Sequence, residues 1–185
     1  GLYLFTIGKP YEKHVMIYAI FRFFHIIPII RKSDIKKGEI INNKDTFAKC
    51  HEYLSEGRTF LIFPEGTSYY ELKLREIKTG IARIALSFED LNNFKGALKI
   101  LPIALDYLDA VDFRSSIVVI INEPIIVENY KKQYALDMIK AVTELTEGIR
   151  NDIAQHIPHA NSKKEEGFLV KIYRFYMEYM DTVTK

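Results

Sequence analysis

The spacing of apolar residues changes along the chain, and each change marks an element. Tyr3 to Ile7 is a short apolar run that Gly8 closes, which predicts a strand. Pro10 suits the first turn of a helix, and Ile17, Ile20, Phe21 and Phe24 then recur at helical spacing up to His25. The other side of that segment, with Val15, Met16, Ala19 and Phe23, is apolar too, so the helix is either buried or lies on lipid. Packing into the core is the favoured reading. A membrane-surface or acyl-chain wall, with Lys13 and Arg22 near headgroups, is the alternative. Ile26 to Ile30 is a β-branched strand whose Pro28 points to an edge or an irregular end.

After a polar connection, Ile35 to Asn43, the stretch Lys44 to Glu56 is amphipathic, with Phe47, Cys50, His51 and Leu54 on one side. Cys50 reads as a small core residue and His51 as a partly buried one. Adjacent helix positions do not face each other, so the two are not read as a catalytic dyad. Gly57 predicts a left-handed cap, and Arg58 to Phe63 reads as the central strand. Leu72 to Ile77 has no clear period. Lys78-Thr79-Gly80 leads a helix to about Leu91 with Ile81, Ile84, Ala85 and Phe88 inward, and Asn92 to Gly96 is a turn.

Leu98 to Leu105 and Ile117 to Ile121 are apolar strands of the kind covered on both faces. A tight connection through Asp106 to Ser116 would make them neighbours, and Glu123-Pro124 should end the pairing. Lys132 to His156 predicts one long helix with Leu136, Ile139, Val142, Leu145, Ile149 and Ile153 inward, Gly148 as a weak point and Pro158 as its stop. Asn161 to Gly167 reads as a polar linker, and Phe168 to Val183 as a final amphipathic helix bearing Leu169, Ile172, Tyr173, Tyr176 and Met180. Packing on the domain or a partner outweighs lipid contact there, because the tail carries both charge signs. The alternation predicts an α/β fold: a mainly parallel or mixed central sheet flanked by helices on both faces, with a C-terminal helix. It also predicts one domain over residues 1–158, with a linker and helix over 159–185.

Composition narrows the classes. The chain has 185 residues, 48% of them hydrophobic, which is enough for a substantial core and argues against disorder. A net charge of +2 and the lack of a recognisable nucleic-acid module exclude nucleic acid as the expected partner. The single cysteine, Cys50, cannot form an internal disulfide, which fits a reducing compartment. No run of about 20 apolar residues is long enough to span a bilayer, and no signal peptide opens the sequence. His156 and His159 are too few for a metal site at their spacing, and no metal or cofactor is expected.

The candidate chemistry gathers at Phe60-Leu61-Ile62-Phe63-Pro64-Glu65-Gly66-Thr67-Ser68. An apolar strand meets Pro64, which fixes its own φ. Gly66 then permits positive φ, and two hydroxyls follow. Backbone N–H groups, hydroxyls and cations are what hold a phosphate. Gly66, Thr67 and Ser68 offer the first two kinds, and Lys73, Arg75 and Lys78 the third. Glu65 repels phosphate. Its candidate jobs are to accept a substrate hydroxyl, to hold an arginine such as Arg31, or to brace the turn. An ordinary βα turn with a structural glutamate is an equal reading on the residues alone. Arg31 is either a solvated strand-end charge, the commoner fate, or a bidentate phosphate fork, and Arg114 is open in the same way.

Phe63-Pro64-Glu65-Gly66-Thr67 resembles the third signature block of the glycerol-3-phosphate and lysophosphatidate acyltransferase superfamily. Ile27-Pro28-Ile29-Ile30-Arg31 resembles its second block and Ile100-Leu101-Pro102-Ile103-Ala104-Leu105 its fourth, in the same order and at similar spacing. Gly66-Thr67-Ser68-Tyr69, together with Phe113-Arg114-Ser115 before Asn122-Glu123-Pro124-Ile125, looks most like the branch that acylates glycerol 3-phosphate or dihydroxyacetone phosphate. The resemblance covers about Tyr3 to Asn129. There are departures. The family's His-x-x-x-x-Asp pair is absent, since five positions on from His14, His25, His51, His156 and His159 lie Ala19, Ile30, Glu56, Asn161 and Lys164. His51 and Glu56 are the near miss. Ser68 stands where many members carry arginine, and His25 where the second block usually has glycine.

The resemblance implies a phospholipid-biosynthesis acyltransferase. It would move a fatty acyl group from acyl-CoA or acyl-carrier protein to a hydroxyl of glycerol 3-phosphate, dihydroxyacetone phosphate or a lysophospholipid. The general-base histidine and its aspartate are expected upstream of Gly1, so the piece alone should be inactive. Arg31, Glu65, Gly66, Thr67 and Ser68 are the implied substrate-binding residues, with Lys78 a further candidate. Ile103 and the helix around Met16 to Phe24 are candidates for the acyl path. The expected location is the cytoplasmic face of a membrane, peripheral or anchored by a segment outside this chain. The competing reading is a non-catalytic lipid-phosphate binding module. A soluble hydrolase is disfavoured because no Gly-x-Ser-x-Gly elbow is present.

Overall fold

The computed structural model describes residues 2–7, 23, 26–29, 43–66, 73–107, 117–157, 160 and 162–183. The chain has mixed α/β content and divides into two compact units. The first comprises Gly1–Thr67, Ile77–Leu98 and Val127–Thr146, and the second Ser68–Glu76, Lys99–Ile126 and Glu147–Lys185.

The first unit holds a parallel sheet of β1 (Leu2–Ile7), β2 (Ile26–Ile29) and β3 (Thr59–Ile62) in the order β2-β1-β3. The register sets Ile7 opposite Ile29 and Phe5 opposite Ile62. In this sheet β1 is the middle strand, not β3 as the sequence suggested. Pro28 lies in β2, an edge strand among the described residues, as the sequence predicts. Helix α1 (Lys44–Ser55) leads into β3 through Gly57, which is at φ 72°. The Gly57 N–H donates to Leu54 O at 2.9 Å and the Arg58 N–H to Tyr53 O at 3.1 Å, so the predicted glycine cap forms.

Helix α2 (Gly80–Leu91) packs on α1 through a core of Ile27, Cys50 and Ile84, with Phe47, Tyr53, Leu54, Phe60 and Ile62 around it. Its buried face also includes Ala82, Ala85, Leu86 and Phe88. Beyond Leu91 the chain turns back through Asn93, Phe94 and Ala97, all at positive φ. The buried Glu89 carboxylate secures this turn. It accepts the Leu98 N–H at 2.6 Å and the Gly96 N–H at 3.1 Å. Gly96 is required there, because an added Cβ would lie 2.7 Å from Phe88.

The second unit holds two antiparallel pairs. The strand predicted over Leu98 to Leu105 is instead β4 (Lys99–Ile100) and β5 (Ile103–Tyr107), parted at Leu101-Pro102, where proline lacks a ladder donor. β5 pairs with β6 (Ile117–Ile121), Ile103 opposite Ile121 and Tyr107 opposite Ile117, which makes them the neighbours expected. Glu123-Pro124 does not end all pairing, since β7 (Ile125–Ile126) pairs with β4. Among the described residues the strands thus form three separate small sheets rather than one central one. One face of β6 is not covered, with Ile117, Val119 and Ile121 all exposed. Asn122 Nδ2 donates to Asp152 O at 2.9 Å, which ties the β6–β7 link to a helix of the same unit.

The long helix predicted from Lys132 to His156 is broken. A 3₁₀ turn, Val127–Tyr130, precedes α3 (Lys131–Leu136), and α4 (Met138–Ala154) starts anew. Between them Asp137 is extended (φ −153°, ψ 100°). Its Oδ1 accepts the Lys140 N–H at 3.0 Å, so it serves as an N-cap. The break shifts the helical phase: Leu145, Ile149 and Ile153 are buried as expected, but Leu136 and Ile139 are 84% and 79% exposed. The last helix, α5 (Lys163–Val183), begins in the stretch read as linker. Ser162 Oγ accepts the Glu165 N–H at 3.2 Å and caps it. The predicted helix Pro10 to His25 lies outside the described residues apart from Phe23, which is helical and exposed. Arg31, the connection Ile35 to Asn42, Thr67, Ser68, Arg114, Pro158 and His159 lie outside them as well.

Candidate functional site

The turn after β3 is where the first unit gathers candidate chemistry. Phe63 leaves the strand, and the Gly66 N–H returns to Phe63 O at 3.2 Å. This is a β-turn with Pro64 and Glu65 at its two central positions. Proline presets the φ that the first of these needs. Gly66 then sits at φ 72°, in the region that strains any side chain. Pro64, Glu65 and Gly66 are half-buried. The turn is held from a distance in sequence, because the Lys78 N–H donates to Pro64 O at 2.8 Å. That bond brings the start of α2 to the turn and leaves the Lys78 side chain exposed. No acidic residue occupies the first turn of α2.

Of the sequence-predicted site residues, Glu65 and Gly66 share the turn, and Lys78 meets it through its main-chain N–H on Pro64 O. Arg31, Thr67 and Ser68 lie outside the described residues. The strand that leads to Arg31 does have a defined end. β2 and β3 both run parallel to β1, so Ile29 and Ile62 close on the same carboxyl edge of the sheet. Across the sheet they are two strand spacings apart, and Ile29 lies two residues further along than Ile62, so they are roughly 12 Å apart. Carboxyl edges of parallel strands are where ligands collect in α/β proteins. The Lys78–Pro64 bond had no signal in the sequence, because it joins residues fourteen positions apart through main-chain atoms.

The near miss is settled by geometry. His51 Nε2 lies 2.9 Å from Ser87 Oγ. The Ser87 hydroxyl donates to Arg83 O at 2.6 Å, so the imidazole N–H is the donor to serine. Glu56 turns the other way and pairs with Arg58. His51 and Glu56 therefore do not act together, and His51 packs α1 on α2 instead. Burial holds the His51 pKa below its usual 6.5, partly offset by a hydrogen bond to the Ile84 backbone. Burial also pushes the Cys50 thiol up to about 12, so it is neither a nucleophile nor a thiolate ligand at neutral pH. Among the described residues no cluster of His, Cys, Asp and Glu could hold a metal ion, and no helix is long and apolar enough to cross a membrane.

The first unit thus holds a parallel sheet with a Pro-Glu-Gly turn at its carboxyl edge, and the strand followed by a sharp turn carrying one carboxylate is as the sequence predicts. The profile of the family described as Acyltransferase matches residues 2–106, and the chain belongs to that family. It is similar to glycerol-3-phosphate O-acyltransferase 2 of Saccharomyces cerevisiae, with 30% identity over 122 residues. That alignment covers 65% of this chain and 16% of the yeast protein, so the chain spans a small part of its relative's length. No solved structure matches the chain.

Proposed function

We propose that this chain is the acceptor-holding part of an O-acyltransferase of phospholipid biosynthesis. The acyl donor is a fatty acyl thioester of coenzyme A or acyl-carrier protein. The acceptor is a hydroxyl of glycerol 3-phosphate, dihydroxyacetone phosphate or a lysophospholipid, and the yeast relative's name favours glycerol 3-phosphate. The acceptor oxygen attacks the thioester carbonyl carbon, the C–S bond breaks, and the hydroxyl proton passes through a general base to the departing thiolate, which leaves as the thiol. The family's base is a histidine oriented by an aspartate, and these 185 residues contain no such pair. This chain alone is therefore expected to bind without turnover. The enzyme works at the cytoplasmic face of a membrane, peripherally or held by a segment outside these residues.

The observation that carries this reading is the Pro64-Glu65-Gly66 turn, closed by the Lys78 N–H on Pro64 O, inside the family-matched region. Glu65 accepts the glycerol hydroxyl or holds Arg31, which forks the phosphate. Gly66, Thr67 and Ser68 supply turn geometry and hydrogen bonds, and Lys78 adds a cation at the same turn. No metal or cofactor is required. Glu65→Ala, made in a protein that carries the complete family blocks, should lose most activity while its circular dichroism stays unchanged. Wild-type turnover from that variant would sink the assignment.

The missing histidine–aspartate pair favours a second reading, a lipid-phosphate binding module without catalysis. Calorimetry on this chain with glycerol 3-phosphate and with a lysophosphatidate decides whether either ligand binds. Acyl-transfer assays of the longer protein then separate the two readings.

A further inference from the structure

Within the first unit, the turn that carries Glu65 belongs to a closed ring of elements. α1 runs through its Gly57 cap into β3, and β3 runs on through Phe63 into the turn. From the turn, the Lys78 N–H bond to Pro64 O crosses to the start of α2. The ring closes where α2 meets α1. There His51 Nε2 donates to Ser87 Oγ at 2.9 Å. One helical turn earlier on both helices, the Arg83 guanidinium lies 5.7 Å from the centre of the Phe47 ring. Cys50 and Ile84 belong to the apolar core beside these two contacts.

The contacts set the register of the two helices. Phe47 and His51 on α1 meet Arg83 and Ser87 on α2 in the same order, four residues apart on each helix, so the pair runs side by side. Apolar packing lets a helix shift along its neighbour by about 1–2 Å. A hydrogen bond with a preferred length and angle resists that shift. Ser87 is itself held in place, because its hydroxyl donates to Arg83 O at 2.6 Å. The imidazole therefore meets an oxygen whose position the α2 backbone fixes. Ser87 lies nine residues beyond Lys78, roughly 14 Å along a helix axis, a distance over which a helix moves as a rigid rod. A slip of α2 along α1 would carry the Lys78 N–H away from Pro64 O and release the turn. Misplacing a substrate-holding group by about 1 Å can cost roughly a hundredfold in rate.

We propose that His51 and Ser87 are positioning residues for the acceptor site: their hydrogen bond fixes α2 along α1, and α2 holds the Pro64-Glu65-Gly66 turn through Lys78. Neither side chain touches the acceptor. The acceptor role of Glu65 is taken from the proposed function, whereas the coupling of the clasp to the turn is independent of it.

Amide exchange followed by NMR on the 185-residue chain tests the coupling. In Ser87→Ala the Lys78 amide should exchange about tenfold faster relative to the β3 amides than in the wild type. Ser87→Thr keeps the hydroxyl and should restore the protection. His51→Leu removes the donor from the other side and should act as Ser87→Ala does, so either variant serves if the other does not fold. In a protein that carries the complete family blocks, Ser87→Ala should raise the KM for glycerol 3-phosphate about tenfold and leave the acyl-donor KM unchanged. Loss of stability alone would lower kcat through the active fraction and move neither KM. Lys78 exchange that keeps its wild-type ratio to β3 overturns the proposal, and so does a fall in kcat with both KM values unchanged. Glu65→Ala in the same assay keeps two failures apart. Wild-type turnover there removes the acceptor reading, whereas an inactive Glu65→Ala beside an unmoved acceptor KM in Ser87→Ala removes the positioning role alone.

Discussion

Glu89 is the residue on which the loop after α2 depends. Its carboxylate is fully buried, and its two oxygens take the N–H groups of Leu98 and Gly96. Three residues of that loop, Asn93, Phe94 and Ala97, hold positive φ without being glycine. Such backbone persists only where its surroundings over-determine it. Glu89→Ala leaves two N–H groups without their acceptor and should cost about 2–3 kcal/mol. Glu89→Gln keeps one acceptor and should cost less, as urea midpoints for the two variants will show. Gly66 is a second case, since it alone of the turn residues can hold φ 72° cheaply. Gly66→Ala should destabilise by about 1 kcal/mol. If the turn holds the acceptor, that variant should also lose binding beyond what its stability loss explains.

Among the elements, the contrast between α1 and α4 shows what the sequence could carry. α1 was legible end to end: an amphipathic run closed by Gly57, with Cys50 at its centre. The rule it obeys is local. The break at Asp137 is also local, but its signal is a single capping side chain inside an unbroken apolar periodicity, and periodicity dominated the reading. Leu136 and Ile139 fit an inward stripe only if no residue resets the phase, and Asp137 resets it. The start of α5 was missed for the converse reason, because its first turn is polar and only Ser162 with Glu165 marks it. In the candidate site, Glu65 and Gly66 were legible from turn chemistry, whereas the Lys78–Pro64 bond links main-chain atoms and leaves no residue signature. Asp137→Ala should cost about 1 kcal/mol as a lost cap. Thermal unfolding of that variant measures it, and Asp137→Asn should recover most of the loss.

At the scale of the whole molecule, the stability of the first unit should be bounded in pH on both sides by two adjacent residues of α1. Burial lowers the folded His51 pKa from 6.5. Just below pH 6.5 the unfolded chain therefore binds the proton that the folded chain refuses, and stability falls as the solution is acidified. Cys50 acts in the opposite direction. Its folded thiol titrates near 12 and its unfolded one near 9.0. Between those values the unfolded chain loses a proton that the folded chain keeps, so stability falls as pH rises past 9.0. Both penalties arise because α1 packs these side chains against α2, where His51 also donates to Ser87. Denaturant midpoints from pH 5 to 10 should fall at both ends for the wild type. His51→Gln keeps a donor for Ser87 but cannot titrate, and should flatten the acid limb. Cys50→Ala should flatten the alkaline limb at the cost of a small cavity, which lowers its plateau at neutral pH. Limbs that survive both substitutions would show that other groups govern the pH dependence and that the α1–α2 packing is looser in solution than these contacts require.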